Sequence, residues 1–207
     1  MSKETEDLIA KWEAEPNDRI YIRHGESRYN KKETTDLDSE LTDEGVLQIR
    51  RVARWLKDNV PKLLYSGYFG VTTPYLRALQ SARIIREITG LPFHVHSGPR
   101  EVMTCYDSVE IKNRSWEFKD LDWSLCLTEP WKFRRETDDD FCKRVRQYHE
   151  DCSRIKRMVT VSHGTPIVAL HELDQGIKNP PNVVQYPRNG SVTRVVGGKL
   201  VCYDLVV

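Results

Sequence analysis

Arg19-Ile20-Tyr21-Ile22-Arg23-His24-Gly25-Glu26 reads as a short apolar strand that gives way, at a histidine followed by glycine, to a loop. Met158-Val159-Thr160-Val161-Ser162-His163-Gly164 has the same form. The chain has only six histidines in 207 residues, so two at equivalent places is an informative pattern. In an open α/β sheet, ligands bind at the carboxyl ends of the strands.

Working outward, Leu41-Thr42-Asp43-Glu44-Gly45 opens a helix with Thr42 as N-cap and acids in its first turn. Val46, Ile49, Ala53 and Leu56 form the apolar stripe of a helix packed on a sheet. Residues 68–72 read as a second strand, and Pro74 suits the first turn of a helix that ends at Gly90. Residues 93–95 read as a third strand. Phe141, Val145, Tyr148, Cys152 and Ile155 recur at helical offsets. Residues 158–161 form a strand and 166–173 a helix. Residues 191–196 and 200–205 flank Gly197-Gly198 as a hairpin. The expected fold is α/β, three layers, with a mostly parallel mixed central sheet between helices. Residues 1–18 read as an N-terminal extension and 19–207 as one domain. Its aperiodic stretch, about 102–137, is expected to form a cap over the substrate.

The net charge of +1 gives no field that would draw the chain to nucleic acid or membrane. No window approaches the ~20 apolar residues of a membrane span. The polar, acidic start Met1-Ser2-Lys3-Glu4-Thr5-Glu6-Asp7 lacks the apolar core of a secretory signal. Five cysteines without a Cys-x-x-Cys pair argue against a zinc site or disulfide framework and fit a reducing cytoplasm.

A histidine can attack phosphorus if it is neutral, fixed in one tautomer and surrounded by cations that hold the anionic group. Arg23 adjoins His24, and Arg77 enters the same rim from the start of the second helix. A planar guanidinium matches two phosphate oxygens. Ser27 and Asn30 would add neutral donors, and His163 another donor if protonated. Glu101, after the third strand, is the best-placed acid for the leaving oxygen and base for the attacking water. No cluster has metal-ligand spacing, so no metal and no cofactor are expected. His94 and His96 share a strand face without an evident third ligand and read as surface histidines. Residues 134–140 read as a solvated helix start, and Trp116, Trp123 and Trp131 as lid and core packing.

Arg23-His24-Gly25-Glu26-Ser27-x-x-Asn30 resembles the opening motif of the histidine phosphatase superfamily, branch 1, which contains the cofactor-dependent phosphoglycerate mutases. Leu41-Thr42-x-x-Gly45, Thr73-Pro74-x-x-Arg77-Ala78-x-Gln80-Ser81-Ala82, Arg100-Glu101 and Val161-Ser162-His163-Gly164 resemble further segments of that family, in its order, over about residues 19–205. The resemblance implies a phosphoglycerate mutase-like fold, His24 as a nucleophile that becomes phosphohistidine, and Arg23, Arg77 and His163 as the phosphate pocket. It implies Asn30 and Ser27 as assisting groups, Glu101 as acid and base, and no metal. After Glu101 the chain reads Val102-Met103-Thr104-Cys105-Tyr106, where the family often has a glycine and an aromatic. Asp107 and Glu110 therefore stand as alternative acids.

The expected activity is hydrolysis of a small-molecule phosphomonoester. The alternatives are phosphoglycerate mutase-type transfer, an inactive phospho-ligand-binding module, and a phosphoprotein phosphatase. Glu101 and His163 are only 62 positions apart, shorter than in mutases of this family, which favours hydrolysis. A homodimer could form through a sheet edge or the C-terminal hairpin.

Overall fold

The computed structural model describes residues 16–60, 67–102, 108–110, 114–126, 132–177 and 185–207. Their elements are β1 (Asp18–Arg23), α1 (Asp43–Asn59), β2 (Phe69–Thr72), α2 (Leu76–Thr89), β3 (Phe93–Val95), β4 (Ser108–Glu110) and β5 (Lys132–Arg134). They continue with α3 (Asp138–Asp151), β6 (Arg157–Ser162), α4 (Gly164–Asp174), β7 (Ser191–Val196) and β8 (Lys199–Val206). The main sheet has six strands in the order β3-β2-β6-β1-β7-β8, and β4 and β5 form a separate antiparallel pair. The strands β3, β2, β6 and β1 run parallel, and β7 turns back against β1.

Alternation along the strands divides the core. Ile20, Ile22, Val159 and Val161 face α1 and α2, burying Ile49, Val52, Ala53, Leu56, Leu79 and Ile85. Tyr21, Val71 and Met158 face the other way, onto Phe141, Val145 and Tyr148 of α3 and Ile167 and Leu170 of α4. Each fully buried aliphatic side chain contributes roughly 1.5–3 kcal/mol. The result is the three-layer α/β/α arrangement.

Local signals explain most boundaries. Thr42 caps α1 by accepting from the Gly45 N–H at 3.0 Å. Thr137 and Asp140 form a reciprocal capping box on α3. Gly90 ends α2 in the left-handed region, at φ 77°. Gly197 and Gly198, at φ 55° and 75°, make the tight turn between β7 and β8.

Other boundaries differ from the sequence reading. Pro74 lies before the N-cap of α2 rather than in its first turn, and the N-cap residue Tyr75 makes no side-chain cap bond. The first helical N–H, of Leu76, donates instead to Asp38 Oδ1 at 2.7 Å. The helix expected from Pro166 starts at Gly164, because proline is tolerated anywhere in a first turn whose N–H groups have no helical partner. The α3 pattern stops at Asp151, with Cys152 as C-cap and Ile155 packing from beyond the helix. Val46 is only half-buried, and Val52 replaces it in the stripe.

Of the expected cap, residues 114–126 pack on α2. Arg83 donates to Asp120 at 2.9 Å and lies 4.0 Å over the Phe118 ring. Trp123 packs against the core, whereas Trp116 is exposed. Trp131 and Cys105 lie outside the described residues. Among the described residues, no helix is long and apolar enough to cross a membrane.

Candidate active site

Register places the two motif histidines side by side. Arg23 of β1 pairs with Ser162 of β6, so the next residues, His24 and His163, emerge from adjacent strands at the same height. The His24 N–H donates to the Ser162 carbonyl at 3.0 Å. From β1 the chain crosses to β2 through α1 on one face, and from β6 it crosses to β7 through α4 on the other. The point between β1 and β6 is therefore the switch point of the sheet, where a crevice opens. The ring centroids are 5.1 Å apart, edge to face.

Hydrogen bonds fix both tautomers. Arg77 Nε donates to His24 Nε2 at 3.0 Å, and its NH2 group donates to His163 Nδ1 at 3.3 Å. A guanidinium has no acceptor, so these two ring nitrogens carry lone pairs. The protons lie on His24 Nδ1, which donates to the Gly25 carbonyl at 2.7 Å, and on His163 Nε2, which donates to Thr73 Oγ1 at 2.8 Å. Burial, followed by the charge of Arg77, holds both imidazoles well below the usual histidine range. Both rings are therefore neutral. The sequence reading allowed a protonated His163 as donor; here it is neutral and accepts from Arg77.

A pocket of about 210 Å³ opens over this pair, lined by Arg23, His24, Tyr29, Asn30, Leu37, Tyr75, Arg77, Glu101 and Val102. Arg23, His24, Asn30, Arg77 and Glu101, singled out in the sequence, all line this one pocket. His163 is fully buried behind the lining. Arg23 NH1 is anchored on the Pro187 carbonyl at 2.6 Å, while its buried Nε has no hydrogen-bond partner among the described residues. Burial lowers the pKa of Arg23, and Glu101 opposes that shift.

The carboxylate of Glu101 accepts from the Val102 N–H at 3.0 Å. Of the alternative acids, Asp107 lies outside the described residues, as does the Glu110 side chain.

Ser27 is placed differently from the expectation. It is fully buried and donates to Asn30 Oδ1 at 3.0 Å rather than lining the pocket. Asn30 Oδ1 also accepts from the Ser27 N–H and from Asn189 Nδ2, at 3.3 and 3.1 Å. With that oxygen occupied, Nδ2 is the end Asn30 can offer the pocket as a donor.

A scan against protein-family models matched residues 20–199 to the histidine phosphatase superfamily, branch 1. The chain belongs to the histidine phosphatase superfamily. A comparison with curated proteins found no match. Among solved structures, a mycobacterial hydrolase is 20% identical with a TM-score of 0.66, covering 93% of this chain and 100% of that one. A mycobacterial glucosyl-3-phosphoglycerate phosphatase is 20% identical with a TM-score of 0.63, covering 91% and 99%. An ecdysone phosphate phosphatase from Bombix mori, in complex with tungstate, is 13% identical with a TM-score of 0.63, covering 86% and 88%.

Within this superfamily member, the remaining motif residues act as scaffold. Gln80 Oε1 accepts from the Leu41 N–H at 2.8 Å, and Ser81 Oγ accepts from the Gly25 N–H at 3.3 Å. Thr42 Oγ1 donates to Glu26 at 2.8 Å. A Cβ on Gly25 would meet the Gly45 carbonyl oxygen at 2.3 Å, and one on Gly45 would meet the Glu26 carbonyl oxygen at 2.1 Å. The histidine loop and the first turn of α1 therefore touch backbone to backbone, which only this glycine pair permits.

Sequence reasoning missed Thr73, Tyr75, Glu136, Arg144 and Asn189. Thr73 fixes the His163 tautomer, and the Tyr75 ring lies 4.6 Å under the Arg77 guanidinium. Buried Glu136 accepts from Arg144 NH2 at 2.6 Å, and Arg144 NH1 reaches the carbonyls of Gly98 and Arg100, pinning the loop that carries Glu101. The order Asn-Gly before a strand signals a turn, but nothing in it reveals the partners of Asn189.

His94 and His96 are half-buried rather than on the surface: His94 stacks on Phe69 at 4.2 Å with Nδ1 3.0 Å from Asp122, and His96 packs on the buried Tyr148 at 5.0 Å and accepts the Gly98 N–H. Among the described residues, no group of three or more His, Cys, Asp or Glu could hold a metal ion.

Proposed function

We propose that this chain is a metal-independent phosphomonoester hydrolase that works through a phosphohistidine on a small organic phosphate. One observation carries the reading: a neutral His24, its Nδ1 proton held by Gly25, presents Nε2 in a pocket that also contains Arg23, Arg77, Asn30 and Glu101.

The Nε2 lone pair accepts from Arg77 Nε. Phosphoryl oxygens are stronger acceptors, so an entering ester draws the guanidinium onto itself and frees the lone pair. Nε2 then attacks phosphorus, the ester P–O bond breaks, and the leaving oxygen takes a proton from the Glu101 carboxyl group. Negative charge spread over the three other oxygens is met by Arg23, Asn30 and the guanidinium of Arg77 that the ester has drawn onto itself. In the second step Glu101 takes a proton from water, the hydroxide oxygen bonds to phosphorus, and the N–P bond breaks. Inorganic phosphate leaves and His24 regains its lone pair with the Nδ1 proton still in place.

The pocket volume suits a phosphoryl group with a small leaving group beside Leu37, Tyr29 and Val102. A broader groove along Tyr29, Asn30, Lys32, Glu33, Thr34 and Thr35 shares its wall, giving a longer leaving group room to extend. The names of the structural relatives, phosphatases for a glucosyl-phosphoglycerate and an ecdysone phosphate, support this class of substrate.

The test is phosphate release from a phosphomonoester panel in excess EDTA, with wild type and His24→Ala in parallel. The expected result is turnover that survives EDTA and is lost in the variant, with an acid-labile phosphoenzyme trapped in wild type. EDTA-sensitive release would overturn the metal-free mechanism. Faster formation of 2-phosphoglycerate from 3-phosphoglycerate than of free phosphate would make the chain a mutase. Phosphate binding without turnover would make it a binding module.

A further inference from the structure

Asp204 lies in β8 with φ 53°, a left-handed conformation that an L-residue with a side chain adopts infrequently. Between the pairs Val192–Leu205 and Arg194–Cys202, β8 carries one residue more than β7, so Asp204 sits in a bulge. Bulges re-aim side chains, and this one turns the carboxylate towards the loop before β7. Oδ1 accepts the Arg188 N–H at 2.5 Å, Oδ2 accepts Arg188 Nε at 2.8 Å, and the Asp204 carbonyl accepts Arg188 NH2 at 3.0 Å.

The loop fastened in this way holds the phosphate-facing groups. On one side of Arg188, the Pro187 carbonyl anchors Arg23 NH1 at 2.6 Å. On the other, Asn189 Nδ2 donates to Asn30 Oδ1 at 3.1 Å and to the His24 carbonyl at 3.2 Å. The Gly190 N–H donates to the carbonyls of Arg23 and His24, both at 3.1 Å. The Arg188 side chain is 65% exposed, so the ion pair itself contributes little. What the bulge supplies is geometry: Asp204 takes the backbone N–H of the residue between the two anchoring groups.

We infer that Asp204, through Arg188, is a positioning residue that sets Arg23 and Asn30 for binding the phosphoryl group. The inference rests on the phosphatase reading for the identity of the ligand. Misplacing these two donors weakens phosphate more than it slows chemistry at His24, because Arg77 and His163 are held independently by Leu37 and Thr73.

Asp204→Gly tolerates the left-handed backbone and removes the carboxylate, and the chain freedom it adds is read separately in Tm. Asp204→Asn keeps an acceptor at Oδ1 and also tolerates that backbone. The experiment measures inorganic phosphate affinity by calorimetry, KM and kcat on one ester, and Tm for wild type and both variants. Asp204→Gly should weaken phosphate and raise KM by about tenfold, with a smaller fall in kcat, and Asp204→Asn should recover most of the loss. A lowered Tm with phosphate affinity and KM unchanged would overturn the proposal and leave the pair a purely structural contact. If Asp204→Gly does not fold, Asn189→Ala carries the test, since it cuts the loop's side-chain bonds to His24 and Asn30. Unchanged phosphate affinity there also overturns the proposal. Phosphate binding is read without turnover, so a wild type that binds phosphate but hydrolyses no ester sinks the hydrolase reading alone. A hydrolysing wild type with an unaffected Asp204→Gly sinks the positioning role alone.

Discussion

Arg77 donates its Nε–H to Nε2 of His24 at 3.0 Å, which makes a buried cation the group that holds the lone pair of the proposed nucleophile. The same guanidinium reaches His163 and the Leu37 carbonyl. One side chain thus fixes both imidazole tautomers and supplies charge to the pocket.

Arg77→Lys keeps the charge but loses the fork, and it cannot serve both histidines and two phosphate oxygens together. The expected fall in kcat/KM is about 10²–10³ fold, the size of losing one preorganised donor. Steady-state kinetics on any turned-over ester measures it, and a loss under threefold would show that the fork is dispensable.

The two histidines predict an acid dependence of stability. Both are held well below the ordinary histidine value of about 6.5 in the folded protein, by burial first and Arg77 second. The unfolded chain takes up protons as pH falls through about 6.5, and the folded site does not. The stabilising difference is therefore complete above pH 6.5 and is lost as pH falls from there towards the folded values. Each group contributes a slope of up to about 1.4 kcal/mol per pH unit. Denaturant unfolding between pH 7.5 and 5 should show the loss, and it should shrink in His163→Gln. Histidine NMR signals from these two rings should not titrate near 6.5.

Arg144→Met would take from the buried Glu136 carboxylate its 2.6 Å ion-pair partner, with Arg100 still at 3.5 Å. Removing one member of a buried pair costs about 3 kcal/mol or more. Arg144→Met/Glu136→Leu should recover part of that stability in guanidinium unfolding, because the carboxylate leaves together with Arg144, while Arg100 gives up its 3.5 Å contact with it. Its kcat should stay low, because the carbonyls of Gly98 and Arg100 have lost their anchor beside Glu101. Recovery of both would detach this clamp from catalysis.

Gly45→Ala forces a Cβ against the Glu26 carbonyl, a backbone atom with no rotamer to yield. Overpacking of this kind costs about 1–3 kcal/mol. The strain bears on the loop whose Gly25 carbonyl holds the His24 tautomer, so activity should fall along with Tm. A variant with lowered Tm and unaltered kcat would separate the two.

Much of the candidate site was legible in the sequence because its proposed chemistry is carried at strand ends. His24 and His163 each follow an apolar strand and precede a glycine, and Arg77 follows β2 by a few residues. Helix α1 announced itself through Thr42 and its stripe, and the final hairpin through Gly197-Gly198. The start of α2 was less legible because its cap is not local: Asp38, far back in the chain, takes the Leu76 N–H. Ser27 looked like a pocket hydroxyl because adjacency to His24 says nothing of direction; the turn points it at Asn30. Residues 134–140 read as solvated, yet Glu136 is buried, since the guanidinium that compensates it is eight positions away on α3 and the loop it pins is earlier still.

By itself the sequence determined the strand and helix periods, the alternation that builds a layered sheet, and the side chains able to handle a phosphoryl group. These follow from local rules, in which period, cap and turn chemistry act within a few residues. Only the tertiary structure decided that β6 lies between β1 and β2 with Arg23 opposite Ser162, which sets the two histidines together. It alone brought Asn189, on the loop that Asp204 fastens through Arg188, to a motif more than 150 positions earlier. The physical reason is that hydrogen-bond partners and strand register are chosen by packing across the whole sheet, and no local pattern of residues carries that choice.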